Sequence, residues 1–160
     1  LRRTHRHLRY VLLGQETRSQ IPPSRDGEGA GSRFNSNVPF MTQWSLLDRS
    51  KKLPASFYLS ANGREPVRDW ILALSPEDRK LVGRDIQKVE FGWPLGMPYC
   101  RSLGQGLWEV RSDLTRGKIA RVIFCIARNQ MVLLHGFVKK TQKTPQLSID
   151  LALKRMQEVK

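Results

Sequence analysis

The sequence predicts an α+β fold in which a helical hairpin precedes a run of strands and one last helix closes the domain. Three observations predict it. Between positions 67 and 89 apolar residues recur at helical spacing, interrupted once by Ser75-Pro76. From 99 to 139 the pattern becomes apolar runs of period two, separated by turns rich in glycine and asparagine. After Thr144-Pro145 the helical spacing returns. Such switches of period mark segregated helices and strands, and 160 residues suffice for one domain with its own core.

Taken in order, residues 1–40 stand apart. They hold seven arginines and no lysine, together with Pro22-Pro23, Gly27, Gly29 and Gly31, and they show no sustained period. The chain opens on Leu1, and its first methionine is Met41. Such a segment buries too little apolar surface to offset its ordering entropy. It is expected to be a disordered extension or non-native upstream sequence, with an arginine-rich arm that grips RNA as the functional alternative. His5 and His7 have no acidic or cysteine neighbours there, so a metal site is not expected. Residues 41–160 are expected to be the functional domain, its core running from about 54 to 160.

Phe57-Tyr58-Leu59 reads as a short first strand ended by the turn Ala61-Asn62-Gly63. Pro66 then suits the first turn of a helix whose buried face is Val67, Trp70, Ile71 and Leu74. Ser75 caps a second helix, with Pro76 in its first turn and Asp78 at the capping-box position. Val82, Ile86 and Val89 give that helix its stripe, and Gly92-Trp93-Pro94 ends it. Strands follow at 99–103, 107–112, 119–127 and 131–139. Alternation puts Val122, Phe124 and Ile126 against the helices, and Arg121 on the other side with Ile123 and Cys125. His135, Phe137 and Lys139 share one face of their strand, and Glu109 and Arg111 share one of theirs. Thr144-Pro145 caps the last helix, with Ile149, Ala152, Leu153, Met156 and Val159 inward and Lys154, Arg155 and Lys160 on a solvated face.

Charge narrows the function. Lys and Arg number 28 against 14 Asp and Glu, a formal net charge of +14, which favours a polyanionic partner. No apolar run approaches the ~20 residues that span a bilayer. Cys100 and Cys125 lack metal or redox spacing and read as inert thiols of a reduced, cytoplasmic protein. The positive charge gathers in residues 133–145, where the run Leu133-Leu134 leads into Lys139, Lys140 and Lys143. The preceding hairpin adds Arg111, Arg116, Lys118 and Arg121, with no acidic partners expected between them. If these strands are antiparallel neighbours, Arg111 and Arg121 converge with either Lys139 or Lys140.

Gly106-Leu107-Trp108-Glu109-Val110-Arg111, Arg121-Val122-Ile123-Phe124 and Leu134-His135-Gly136-Phe137-Val138-Lys139-Lys140-Thr141 with Thr144-Pro145 resemble the HigB-like, phage-related branch of the RelE/ParE toxin superfamily. The resemblance runs from about Pro54 to Lys160. It implies a small twisted antiparallel sheet flanked by helices. It also implies the toxin of a type II toxin–antitoxin pair, an endoribonuclease that cuts mRNA without a metal, usually on the translating ribosome. A cognate antitoxin, of helix-turn-helix type, would be its partner. A gyrase-targeting ParE-like toxin and a non-catalytic nucleic-acid binder are the alternatives.

RNA supplies its own nucleophile, the 2′-hydroxyl. The protein must stabilise the phosphorane and move protons. Arginine forks suit the first task, which points to Arg111 and Arg121. Lysines crowded by like charge suit the second, which points to Lys139 and Lys140. His135 titrates near neutrality but stands in an apolar strand, where a core role competes with a catalytic one. Arg116, Lys118 and Lys143 are expected to grip phosphates. No pair of carboxylates is spaced to hold a metal, because Glu109 and Asp113 lack companions. Arg121 is expected to point outward, so that Arg121→Ala folds as well as the parent.

Overall fold

The helical hairpin forms where its capping signals stand. In a computed structural model of the protein, residues 51–139 and 143–159 are described. The expectations for residues 1–40 and for Lys140 lie outside them. Helix α1 (Pro66–Leu72) starts on Pro66 and buries Val67 and Ile71. Its end is closed by Arg79, which donates to the carbonyls of Leu72 at 2.7 Å and Leu74 at 3.3 Å. Helix α2 (Pro76–Gly92) begins under Ser75, whose hydroxyl accepts from the Asp78 amide at 3.2 Å. The Asp78 carboxylate accepts from the Thr115 amide at 2.8 Å and so ties α2 to a distant turn. That bond is the main reason the carboxyl lies below the usual aspartate range.

Five strands form one sheet: β1 (Ala55–Phe57), β2 (Cys100–Gly104), β3 (Leu107–Asp113), β4 (Ile119–Ala127) and β5 (Gln130–Lys139), in the order β1-β5-β4-β3-β2. The fold is α+β as expected, but the sheet is mixed. β2 to β5 run antiparallel, whereas β1 pairs parallel to β5 with Ser56 opposite Val132. A parallel partner needs a long crossover, and the hairpin helices with the three strands after them provide it. β1 also starts earlier than its apolar triplet suggests. Ala55 is recruited by the buried Glu90, whose carboxylate accepts from the Ala55 amide at 2.7 Å and from Lys51 Nζ at 2.6 Å.

Each sheet face carries a core. On one, Val110, Val122, Phe124, Met131 and Leu133 pack against Val67, Ile71, Val82, Ile86 and Val89. Trp93 meets Trp108 and Phe124 edge-on there, so these aromatics are core. On the other, Leu107, Ile123, Cys125, Val132 and Leu134 pack against Ala152 and Met156 of α3 (Gln146–Val159). Arg155 belongs to this packing and not to a solvated face: it donates to the Leu134 carbonyl at 2.6 Å and lies 5.4 Å from the Tyr58 ring centre. Tyr58 in turn hydrogen-bonds Glu158. Ile126, expected against the helices, is exposed at the strand end. Among the described residues no helix is long and apolar enough to cross a membrane.

Two local features of β5 fix how its far end is presented. Gly136 has no room for a side chain, because a β-carbon there would overlap the ring of Trp70. Between β4 and β5 the register slips: Ile123 faces His135, but Phe124 faces Leu133, leaving Leu134 as the extra residue of a bulge.

Candidate functional site

Register decides the convergence that alternation left open. Arg111 stands directly opposite Arg121 across β3 and β4, and Arg121 stands opposite Phe137 of β5. Ile119 stands opposite Lys139, so Lys139 lies on the same face as the two arginines. The bulge is responsible. Val132 and Leu134 face α3, and unbroken alternation would have turned Lys139 to the hairpin side. Instead the phase resets, and His135, Phe137 and Lys139 share the face of Arg121. Gly136 and Val138 accordingly face the hairpin helices.

Arg121 is the centre of the group but not its surface. Its side chain is 1% exposed, and its Nε lies 3.5 Å from Glu109 Oε1. One Nη donates to the Ala120 carbonyl at 3.1 Å, while Nε makes no hydrogen bond. Glu109 is also buried, at 2% exposure, and its other oxygen accepts from the Thr144 hydroxyl at 2.8 Å. Two expectations are thereby corrected. The cations do have an acidic partner, and Arg121 points into an internal ion pair and not outward. Thr144 commits its hydroxyl to that carboxylate, which fastens the start of α3 to the sheet.

Around this pair stand three more accessible cations. Arg111 is half-buried and its Nη1 lies 3.5 Å from Met97 Sδ. Arg101, exposed on β2 and register partner of Glu109, is a site residue that sequence reasoning missed. Its same-strand alternation with Tyr99 and Leu103 was the available signal. Lys139 is half-buried at the end of β5. Burial, then the charge of Arg121, lowers its affinity for a proton; Glu109 opposes this, and Arg111 and Arg101 add to it. Arg121 is shifted downward too, chiefly by burial, with Glu109 opposing.

The remaining expected residues are placed differently. Arg116 sits in the 3-10 turn Thr115–Gly117 between β3 and β4 with φ of 57°, exposed, and Lys118 follows it, also exposed. Lys143 is exposed in the connection to α3. All three lie beyond the strand ends near which the arginines and Lys139 gather. His135 stacks on Phe137 with ring centres 5.4 Å apart, and burial, then Arg155, holds its pKa below the usual histidine value. The cysteines are buried in opposite cores, and burial pushes the Cys100 thiol up to about 11, which suits an inert thiol. Among the described residues no group of three or more His, Cys, Asp or Glu could share a metal ion.

The arrangement can hold an anion against Arg111, Arg101 and Lys139, with Arg121 adding positive potential from beneath. Residues 69–157, more than half of the chain, match the family model described as phage derived protein Gp49-like (DUF891). The matched stretch contains every described residue of this group. No curated protein matches the chain.

Proposed function

The chain belongs to the Gp49-like phage-derived family, within the RelE/HigB-type toxin superfamily, and on that premise we propose that it is a metal-independent endoribonuclease that cuts mRNA. The family is associated with toxins of toxin–antitoxin pairs, which implies a cognate antitoxin as partner. One observation carries the chemical reading. Arg111 and Arg121 are directly opposite each other on neighbouring strands, with Lys139 on the same face. Like charges so placed destabilise a sheet; Glu109 offsets the charge of Arg121 from within, which leaves Arg111 and Lys139 to take a phosphate.

In this reading the Arg111 fork, with Arg101, holds the scissile phosphate and stabilises the charge that builds on its oxygens. Lys139 takes the proton of the 2′-hydroxyl when its own proton is off, a form that burial and the charge of Arg121 favour. A bond forms from the 2′-oxygen to phosphorus as the bond to the 5′-oxygen breaks, leaving a 2′,3′-cyclic phosphate. The 5′-oxygen takes a proton in turn, from the ammonium just formed or from water. Arg121 acts from behind, by its charge on Lys139. This reading gives His135 no part: its ring stacks on Phe137, and burial, then Arg155, holds its pKa below the ordinary histidine value.

Primer extension on mRNA after induction tests this. Cleavage sites should appear with the parent and vanish with Arg111→Ala, a loss of about 10²–10³ in rate. Arg111→Lys should recover little of it. EDTA should leave cleavage intact. Strand breaks in DNA without RNA cleavage would overturn the reading in favour of a gyrase poison. Saturable RNA binding without turnover would favour a binder.

A further inference from the structure

Crossing the sheet from β5 to β2, the charged side chains Lys139, Arg121, Arg111 and Arg101 follow one another on one face. They lie on a diagonal, since Lys139 and Arg101 are each displaced two residues along the strands from the level of Arg121 and Arg111, and the track is roughly 20 Å long. At its outer end, beyond Arg111, stand two large side chains that the core does not claim. Met97 is 59% exposed and Tyr99 39% exposed. Their backbone is nonetheless fixed. The Tyr99 amide donates to the Gly96 carbonyl at 3.2 Å, and the Tyr99 carbonyl accepts from the Arg111 amide at 2.9 Å. Lys88 of α2 holds its Nζ 4.7 Å from the Tyr99 ring centre, and Arg111 touches the Met97 sulfur.

We propose that Tyr99, near Met97 in sequence, is a nucleobase-stacking subsite for single-stranded RNA, set at the β2 edge of the sheet beside the phosphate-holding Arg111 and Arg101. The proposal rests on the RNA reading and adds where the base next to the held phosphate goes. Proteins that bind single strands pair a cationic track with aromatic platforms, because every base offers a π-face. The Lys88 ammonium, which also pairs with Asp85 at 3.0 Å, rests on the Tyr99 ring from the α2 side of this edge. A base on that ring would be bordered by the Met97 thioether, a soft contact that suits any base. Stacking without base-edge hydrogen bonds predicts tolerance of sequence at this position.

The test is equilibrium binding of the full chain to a short single-stranded RNA, 2′-O-methylated so that it is not cut. One oligomer carries 2-aminopurine, and its twin carries abasic positions. The base-bearing oligomer should bind more tightly, with its fluorescence quenched on binding. Tyr99→Ala should weaken that oligomer by roughly 5- to 100-fold, leaving the abasic twin and the salt slope unchanged. Tyr99→Phe should bind like the parent. Arg111→Ala should instead flatten the salt slope by about 0.7 for both oligomers. If Tyr99→Ala melts early, Tyr99→Leu keeps the bulk without the π-face and should show the same loss. Equal binding of the two oligomers by the parent, or full affinity in both variants, overturns the subsite and spares the RNA reading. Failure of the parent to bind either oligomer overturns both.

Discussion

The two faces of this sheet are built from the same strands and put to opposite uses. On the hairpin side Val110, Ala120, Val122, Phe124, Met131 and Leu133 are all apolar and buried, because α1 and α2 cover that side. On the other side a single helix, α3, covers Leu107, Ile123, Cys125, Val132 and Leu134. Past its reach the face turns to Glu109, Arg111, Arg121 and Lys139. The contrast teaches that charge is admitted where helical cover stops, and that its innermost member, Arg121, is admitted only with a carboxylate beside it.

The strongest way to break this contrast is to remove that innermost cation. Arg121→Ala leaves the buried Glu109 without its ion-pair partner, and should cost about 3–5 kcal/mol in chemical denaturation. Replacing both members, as in Arg121→Met with Glu109→Leu, should recover most of the loss. A single variant that unfolds with the parent would show that the pair is not load-sharing. The corresponding blow to the apolar side is Gly136→Ala, whose added methyl overlaps Trp70 and should cost about 1–3 kcal/mol, read as a lowered Tm. A Tm equal to the parent's would mean that Trp70 has space to retreat.

Acid separates the faces more gently. His135 has its pKa held down in the folded protein, by burial and then by Arg155, so folding favours its neutral form. Its contribution is complete above the ordinary histidine value of about 6.5 and is lost as pH falls below that, through the folded value. His135→Gln should therefore flatten the stability profile below pH 6.5, and matching profiles would contradict this. The smallest effect on stability belongs to the accessible cations. Arg111→Ala and Lys139→Met should stay within about 0.5 kcal/mol of the parent while abolishing cleavage. In the parent, cleavage should rise with pH, as a lysine base requires. Unfolding of either variant would place these side chains with the structural part of the face.

Much of this was legible in the sequence. Ser75-Pro76, the stripe Val82, Ile86 and Val89, and the span of β4 are local signals, and each forms what its spacing indicated. The sides of Val122 and Arg121 were legible as well, because alternation within one strand needs no partner. What depended on partners was not. The parallel pairing of β1 rests on a carboxylate 35 positions away at Glu90. The burial of Arg121 rests on Glu109, and that pairing was hidden because Arg121 and Thr144, the two groups Glu109 meets, come from β4 and the approach to α3. The placement of Lys139 on the face of Arg121 rests on a bulge, which no period announces.

That bulge also gives β5 spare length. Leu133 and Leu134 are the same residue type, and only one is paired opposite Phe124. A chain shorter by one leucine could run straight through the ladder and still deliver Lys139 to the side of Arg121. The surplus residue is held in place from outside the strand, since Arg155 takes the Leu134 carbonyl. The phase of the cation-bearing end is thus insulated from the half of β5 that pairs with β1, and a deletion there would be absorbed as lost slack before it reached the site.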